Sequence, residues 1–173
     1  KIPRNPFAMY HVDPDHKERE FLTLDELTAM TEIKLEDPNM AFARDLFIFG
    51  CWTGISFIDI KNLTEDNISM INGAPWIVSK RQKTGVPFQI KLMDIPMQII
   101  GRYKAFRKGS HLFNIGNLDS INKRIKKVAA MCGIKKRVSF HVSRHSWAVL
   151  ALEYGMPIES VSKILGHTNI TTT

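Results

Sequence analysis

His141 and Arg144 stand three residues apart in the stretch His141-Val142-Ser143-Arg144-His145-Ser146-Trp147, and Leu165-Gly166-His167 follows further along. In a helix that spacing puts both side chains on one face, so the imidazole and the guanidinium can converge on a single anionic group. The pair is in outline a phosphate clamp. Helix-forming residues run on to Tyr154, Gly155 suits a C-cap, and Pro157 suits the first turn of a second helix whose Ile158, Val161, Ile164 and Leu165 recur at helical spacing. Gly166 ends that helix, and a short connection between the two helices can return His167 to the clamp as a third donor. Tyr154, between the two motifs, reads as a helix-packing residue.

His-x-x-Arg followed by Leu-Gly-His, with one helix between, resembles the tyrosine recombinase (phage integrase) family. The wording SRHSWA…GMPIESVSKILGHTNITTT looks most like integrases of Bacteroidetes mobile elements. The resemblance implies DNA strand cleavage and rejoining through a 3′-phosphotyrosine, without ATP or metal. In the family the nucleophilic tyrosine falls about nine residues after the Leu-Gly-His histidine. That position lies past Thr173, so the chain as it stands is expected to be inactive and monomeric, whereas the family's active forms are tetramers on DNA. Arg144 is then the phosphate-binding arginine, His167 a hydrogen-bond donor, and His141 a second donor or a proton-transfer partner of the tyrosine.

Thr53-Gly54-Ile55-Ser56-Phe57-Ile58-Asp59 resembles the family's first arginine motif, with one departure. Ser56 stands where the family has an arginine, and a neutral hydroxyl donates one hydrogen bond but cannot neutralise a phosphate. Lys83, at a hairpin turn, matches the family's lysine that reaches the cut, and it is the candidate general acid for the leaving 5′-oxygen. Arg81 lies two residues earlier, on the same face as Lys83 if the strand persists that far. It is the candidate substitute for the missing charge, with an exposed arginine on a hairpin edge as the alternative. Asp59 either orients Arg144 or Arg81 or is a helix-surface carboxylate. His145 lacks a Glu or Cys partner at metal-ligand spacing and reads as structural.

The elements that must position these residues are mostly helical. Thr23-Leu24-Asp25-Glu26 matches a capping box for a helix to about Leu35. Pro38 starts a second helix that is apolar nearly all round and should be the central core helix, ending at Thr53-Gly54. Ile68–Ile71, an Asn72-Gly73 turn, Trp76–Ser79, a Lys83-Thr84-Gly85 turn and alternating Val86, Phe88, Ile90 and Leu92 read as three antiparallel strands. Pro96 opens a helix with Ile99, Ile100, Tyr103 and Phe106 inward and Arg102, Lys104, Arg107 and Lys108 outward or along the rim. The next helix turns Ile121, Ile125, Val128 and Ala129 inward. The expected fold class is α+β, mostly α with a small three-stranded antiparallel sheet.

Length and composition suit one domain, residues 20–173, behind a proline-containing linker over 1–19 that would join a preceding DNA-clamping domain. Cys51 and Cys132 read as reduced thiols, and no apolar run reaches membrane-spanning length, so a cytoplasmic bacterial protein without metal or nucleotide cofactor is expected. A nucleotide-driven motor is disfavoured by the lack of a Gly-rich phosphate loop. The net charge of +7 is concentrated: residues 100–145 hold twelve Lys or Arg against one Asp. Lys123, Arg124, Lys126, Lys127, Lys135, Lys136 and Arg137 are the candidate double-stranded DNA contacts. The alternative to a recombinase is a catalytically impaired DNA-binding module of the same fold, with a type IB topoisomerase third.

Overall fold

A computed structural model describes residues 20–166, in the order α1 (Leu24–Glu32), α2 (Pro38–Thr53), α3 (Phe57–Lys61), β1 (Ile68–Ile71), β2 (Ala74–Lys80), β3 (Pro87–Lys91), α4 (Asp94–Arg102), α5 (Leu118–Met131), α6 (Phe140–Glu153) and α7 (Ile158–Leu165). Asp37 starts α2: its Oδ1 accepts the N–H groups of Asn39 at 2.8 Å and Met40 at 3.4 Å, while Pro38 sits in the first turn, where its missing N–H is no loss. Every residue from Ala43 to Cys51 is buried, which a helix tolerates only when other elements surround it. Helices α1, α4, α5 and α6 do so.

Two features let α2 take that place. A Cβ on Gly50 would stand 2.5 Å from Ser143 Oγ, so the lack of a side chain lets α2 and α6 approach closely. Its two buried charges are satisfied internally: Arg44 Nη1 donates to the carbonyls of Met30, Thr31 and Ile33 at 3.0–3.1 Å, and its Nε donates to Asp45 at 2.6 Å. Asp45 also accepts from Tyr103 Oη at 2.8 Å and from Arg102. Phe47 and Phe49 extend the core by edge-on contacts with Phe140 and Phe113.

The three strands form one antiparallel sheet in the order β1-β2-β3, with Ile77 opposite both Ile68 and Ile90. Along and just past β3, Phe88, Ile90 and Leu92 are buried and Gln89 and Lys91 exposed, the alternation expected of a sheet with one covered face. Pro87 is the first residue of β3, a position that tolerates a missing ladder donor.

Several expectations are corrected. Helix α1 ends at Glu32 rather than near Leu35, because Ile33 turns extended and Arg44 takes the freed carbonyls. Helix α4 begins at Asp94, two residues before Pro96, and the proline lies in its first turn. Phe106 is 71% exposed rather than inward, since α4 stops at Arg102 and a 3-10 turn over Lys104–Phe106 swings the ring out. Arg107 is no outward cation: its Nε donates to Leu112 O at 3.1 Å, its Nη2 to Ile100 O at 3.3 Å, and it pairs with Glu65. Tyr154 is 74% exposed at the C-cap of α6 and does not pack between helices, because Gly155 reverses the chain before the ring can meet α7.

Candidate active site

The site is built where the end of α2, the short helix α3, the β2–β3 turn and the end of α7 meet the middle of α6. Gly54 caps α2 in the left-handed conformation, φ 64°, and a Cβ there would lie 2.6 Å from two atoms of the Trp147 ring. Trp147 thus rests on bare backbone. One turn earlier on α6, Arg144 Nη1 donates to Gly54 O at 3.0 Å, and its Nη2 donates to Leu165 O at the end of α7.

Ser56 serves as the N-cap of α3, a helix that the motif reading left out. Its Oγ accepts the Asp59 N–H at 3.4 Å and donates to Asp59 Oδ2 at 2.6 Å. Ser-x-x-Asp is a variant of the capping-box pattern, so the signal was present in the sequence. Asp59 is buried, 6% exposed, and is not a surface carboxylate. Its Oδ2 also accepts from Arg81 Nη1 at 3.0 Å, and its Oδ1 accepts the Gln82 N–H at 2.8 Å.

Arg81 is 5% exposed, which overturns the hairpin-edge alternative. Strand β2 stops at Lys80, so Arg81 and Lys83 do not share a strand face. Arg81 opens a closed turn in which its N–H donates to Val86 O at 2.8 Å and its carbonyl accepts from Gly85 at 2.7 Å. Lys83 projects from that turn as an exposed side chain. The Arg81 guanidinium carbon lies 4.1 Å from the Phe88 ring centroid, and Nη2 donates to Ile164 O, the carbonyl preceding the one Arg144 holds.

Two guanidinium groups and one carboxylate therefore share a largely desolvated space. Burial, and then the charge of Arg81, pull Arg144 down to about 10, against the opposing pull of Asp59. Burial likewise lowers Arg81, and Asp59 counters it. Both remain cationic at neutral pH. Such a cluster has more positive than negative charge close at hand, the condition under which an anion is drawn in.

His141 lies one turn before Arg144 on α6, is exposed, and sets its ring edge-on to His145 with centroids 4.7 Å apart. His167 lies outside the described residues. Among the cations of the basic stretch, Lys123, Lys126, Lys127, Lys135 and Arg137 are exposed. Two others are engaged within the chain: Arg124 Nη1 bonds Ser120 in its own helix, and Lys136 Nζ donates to Phe21 O at 2.9 Å and Glu26 Oε2 at 2.6 Å. Among the described residues no helix is long and apolar enough to cross a membrane.

A mainly helical domain with a three-stranded antiparallel sheet is the fold of tyrosine recombinase catalytic domains. The phage integrase family profile matches residues 20–173, and the chain belongs to that family. It is 44% identical to tyrosine recombinase XerC of Natranaerobius thermophilus over 92% of this chain and 58% of that protein. It thus spans little more than half the length of that relative. In fold it resembles XerA recombinase, with TM-score 0.73 and 22% identity over 89% of this chain and 57% of that one. It also resembles the XerH site-specific recombinase bound to its difH substrate before cleavage, with TM-score 0.73 and 18% identity over 88% of this chain and 48% of that one.

Proposed function

We propose that this domain is the catalytic part of a site-specific recombinase or integrase that cuts and rejoins double-stranded DNA through a 3′-phosphotyrosine. The observation that carries the reading is the Arg81–Asp59–Arg144 cluster inside a domain of this family. The reaction requires a tyrosine downstream of Leu165-Gly166-His167. Its oxygen forms a bond to phosphorus as the bond to the 5′-oxygen breaks, and the 5′-oxygen leaves with a proton. The phosphotyrosine keeps the bond energy, so a second strand's hydroxyl reverses the step without ATP or metal.

In-line displacement spreads negative charge over the equatorial phosphate oxygens, and preorganised cations stabilise it. Arg144 binds the phosphate, while His141 and His167 donate to it or help the tyrosine lose its proton. Arg81 supplies, from beneath the last turn of α7, the charge missing at Ser56. In support, Ser56 and Arg81 bond the same oxygen of Asp59, so the replacement cation belongs to the same cluster. Lys83 protonates the 5′-oxygen, worth roughly 10²- to 10⁴-fold for a general acid. Lys123, Lys126, Lys127, Lys135 and Arg137 neutralise flanking phosphates by direct contact, while Arg124 and Lys136, bonded within the chain, add only to the longer-range field.

The full-length protein assembles as a tetramer on DNA in the bacterial cytoplasm, at the nucleoid, and is kin to integrases of Bacteroidetes mobile elements, as the wording of the terminal motif suggests. The test uses the full-length protein and a nicked DNA from which the cleaved product diffuses away, with a covalent adduct scored on a denaturing gel. Adduct formation that is lost in Arg144→Ala, Lys83→Ala and Arg81→Ala is the expected result. Salt-sensitive binding with no adduct on any cognate DNA would instead favour the impaired DNA-binding module.

A further inference from the structure

Gly166, the middle residue of Leu165-Gly166-His167, has no role in the chemistry above. It ends α7 with φ 66°, directly after the two carbonyls that Arg81 and Arg144 hold. A Cβ built there would stand 3.0 Å from Arg81 Cγ, 3.3 Å from Nε and 3.6 Å from Cδ. The stem of Arg81 thus runs against bare backbone. The Phe88 ring contacts the guanidinium carbon, Asp59 holds Nη1, and Nε is a buried donor with no partner among the described residues. An arginine gripped this way has no slack: a side chain at 166 must move either Arg81 or the end of α7.

We propose that Gly166 is a positioning residue for the cleavage reaction, acting through Arg81. Its lack of a side chain keeps Arg81 on Ile164 O while Arg144 stays on Leu165 O, so both cations are indexed to adjacent residues of one helix end. The proposal rests on the recombinase reading, with Arg81 as a supplier of charge. Displacing Arg81 then lowers the rate of the chemical step without loosening DNA, because the exposed cations that hold the backbone lie elsewhere.

The discriminating variant is Gly166→Asn. Asparagine adopts positive φ more readily than other residues with a Cβ, so backbone strain alone predicts near-normal behaviour, whereas contact with Arg81 predicts a loss like that of Gly166→Ala. In the full-length protein both variants are expected to form adduct at least about tenfold more slowly at saturating DNA, with DNA affinity within about twofold of the parent. The 15N-detected Arg81 Nε–H signal of the same variants should shift. In thermal melts, Gly166→Asn should cost less in an Arg81→Ala background than in the parent, since the group it strikes is gone. A parental adduct rate in Gly166→Asn, an unmoved Arg81 signal, or equal melting losses in both backgrounds would overturn the proposal. If the parent itself forms no adduct, the recombinase reading fails, and the Arg81 signal and the melting cycle still decide whether Gly166 positions Arg81.

Discussion

Asp59 binds three partners through two oxygens: the Ser56 hydroxyl, the Arg81 guanidinium and the Gln82 N–H. Removing one member of a buried ion pair costs more than the pair contributes, because the remaining charge stays desolvated. Asp59→Ala is therefore expected to lower stability by about 3–5 kcal/mol, read from the urea midpoint at constant slope. Ser56→Ala loses a cap and one neutral donor to Asp59, about 1–2 kcal/mol, and should leave Arg81 in place. Equal losses in the two variants would mean that Asp59 acts as a cap rather than as the counter-charge of Arg81. The sequence marked Asp59 as an acidic motif position but not its burial, which depends on the β2–β3 turn folding over α3.

At the scale of elements, α1 is short, and its ends are held by groups outside it. Thr23 and Glu26 bond each other's backbone N–H groups, Lys136 bridges to Glu26 from the start of α6's approach, and Arg44 takes the carbonyls at the other end. Burial pushes the Glu26 carboxyl up, but the hydrogen bonds from Lys136 and Thr23 outweigh it and hold the group below its usual value. A depressed carboxyl binds fewer protons in the folded state than in the unfolded one. Its stabilising contribution is present above the unfolded value of 4.5 and is lost as pH falls through the folded value. Melts of the parent and of Glu26→Gln should differ at pH 7, with the parent more stable, and draw together as pH falls below 4.5 through the folded value. A constant gap across that range would exclude Glu26 as the source. The capping box itself was legible as four consecutive residues, because its partners are local. The bridge to Lys136 joins residues far apart in the chain and was not.

For the whole molecule, the basic stretch divides into cations facing solvent and cations used inside the fold. Lys126 is exposed, whereas Lys136 is tied to Glu26 and Phe21. Each phosphate contact adds about one to the salt dependence of DNA binding. Lys126→Ala is expected to lower that slope by about one with the melting temperature unchanged, and Lys136→Ala to lower the melting temperature with little change in slope. Fluorescence anisotropy against salt concentration and a thermal melt separate the two. The opposite pattern would mean that the Lys136 bridge opens on DNA.

What the sequence by itself determined is what short-range physics encodes. The apolar run of α2 demanded a central helix, the alternation at Phe88, Ile90 and Leu92 demanded a sheet with one covered face, and the spacing of His141 and Arg144 put both on one side of α6. The family followed from motif order. Only the tertiary structure decided that Arg81 is buried against Asp59, that Phe106 and Tyr154 face outward, and that Lys136 and Arg107 are bound within the chain. Each of these depends on which distant element arrives opposite a side chain. A charge or a ring has the same local pattern whether solvent or another element meets it, and only the packed chain distinguishes the two.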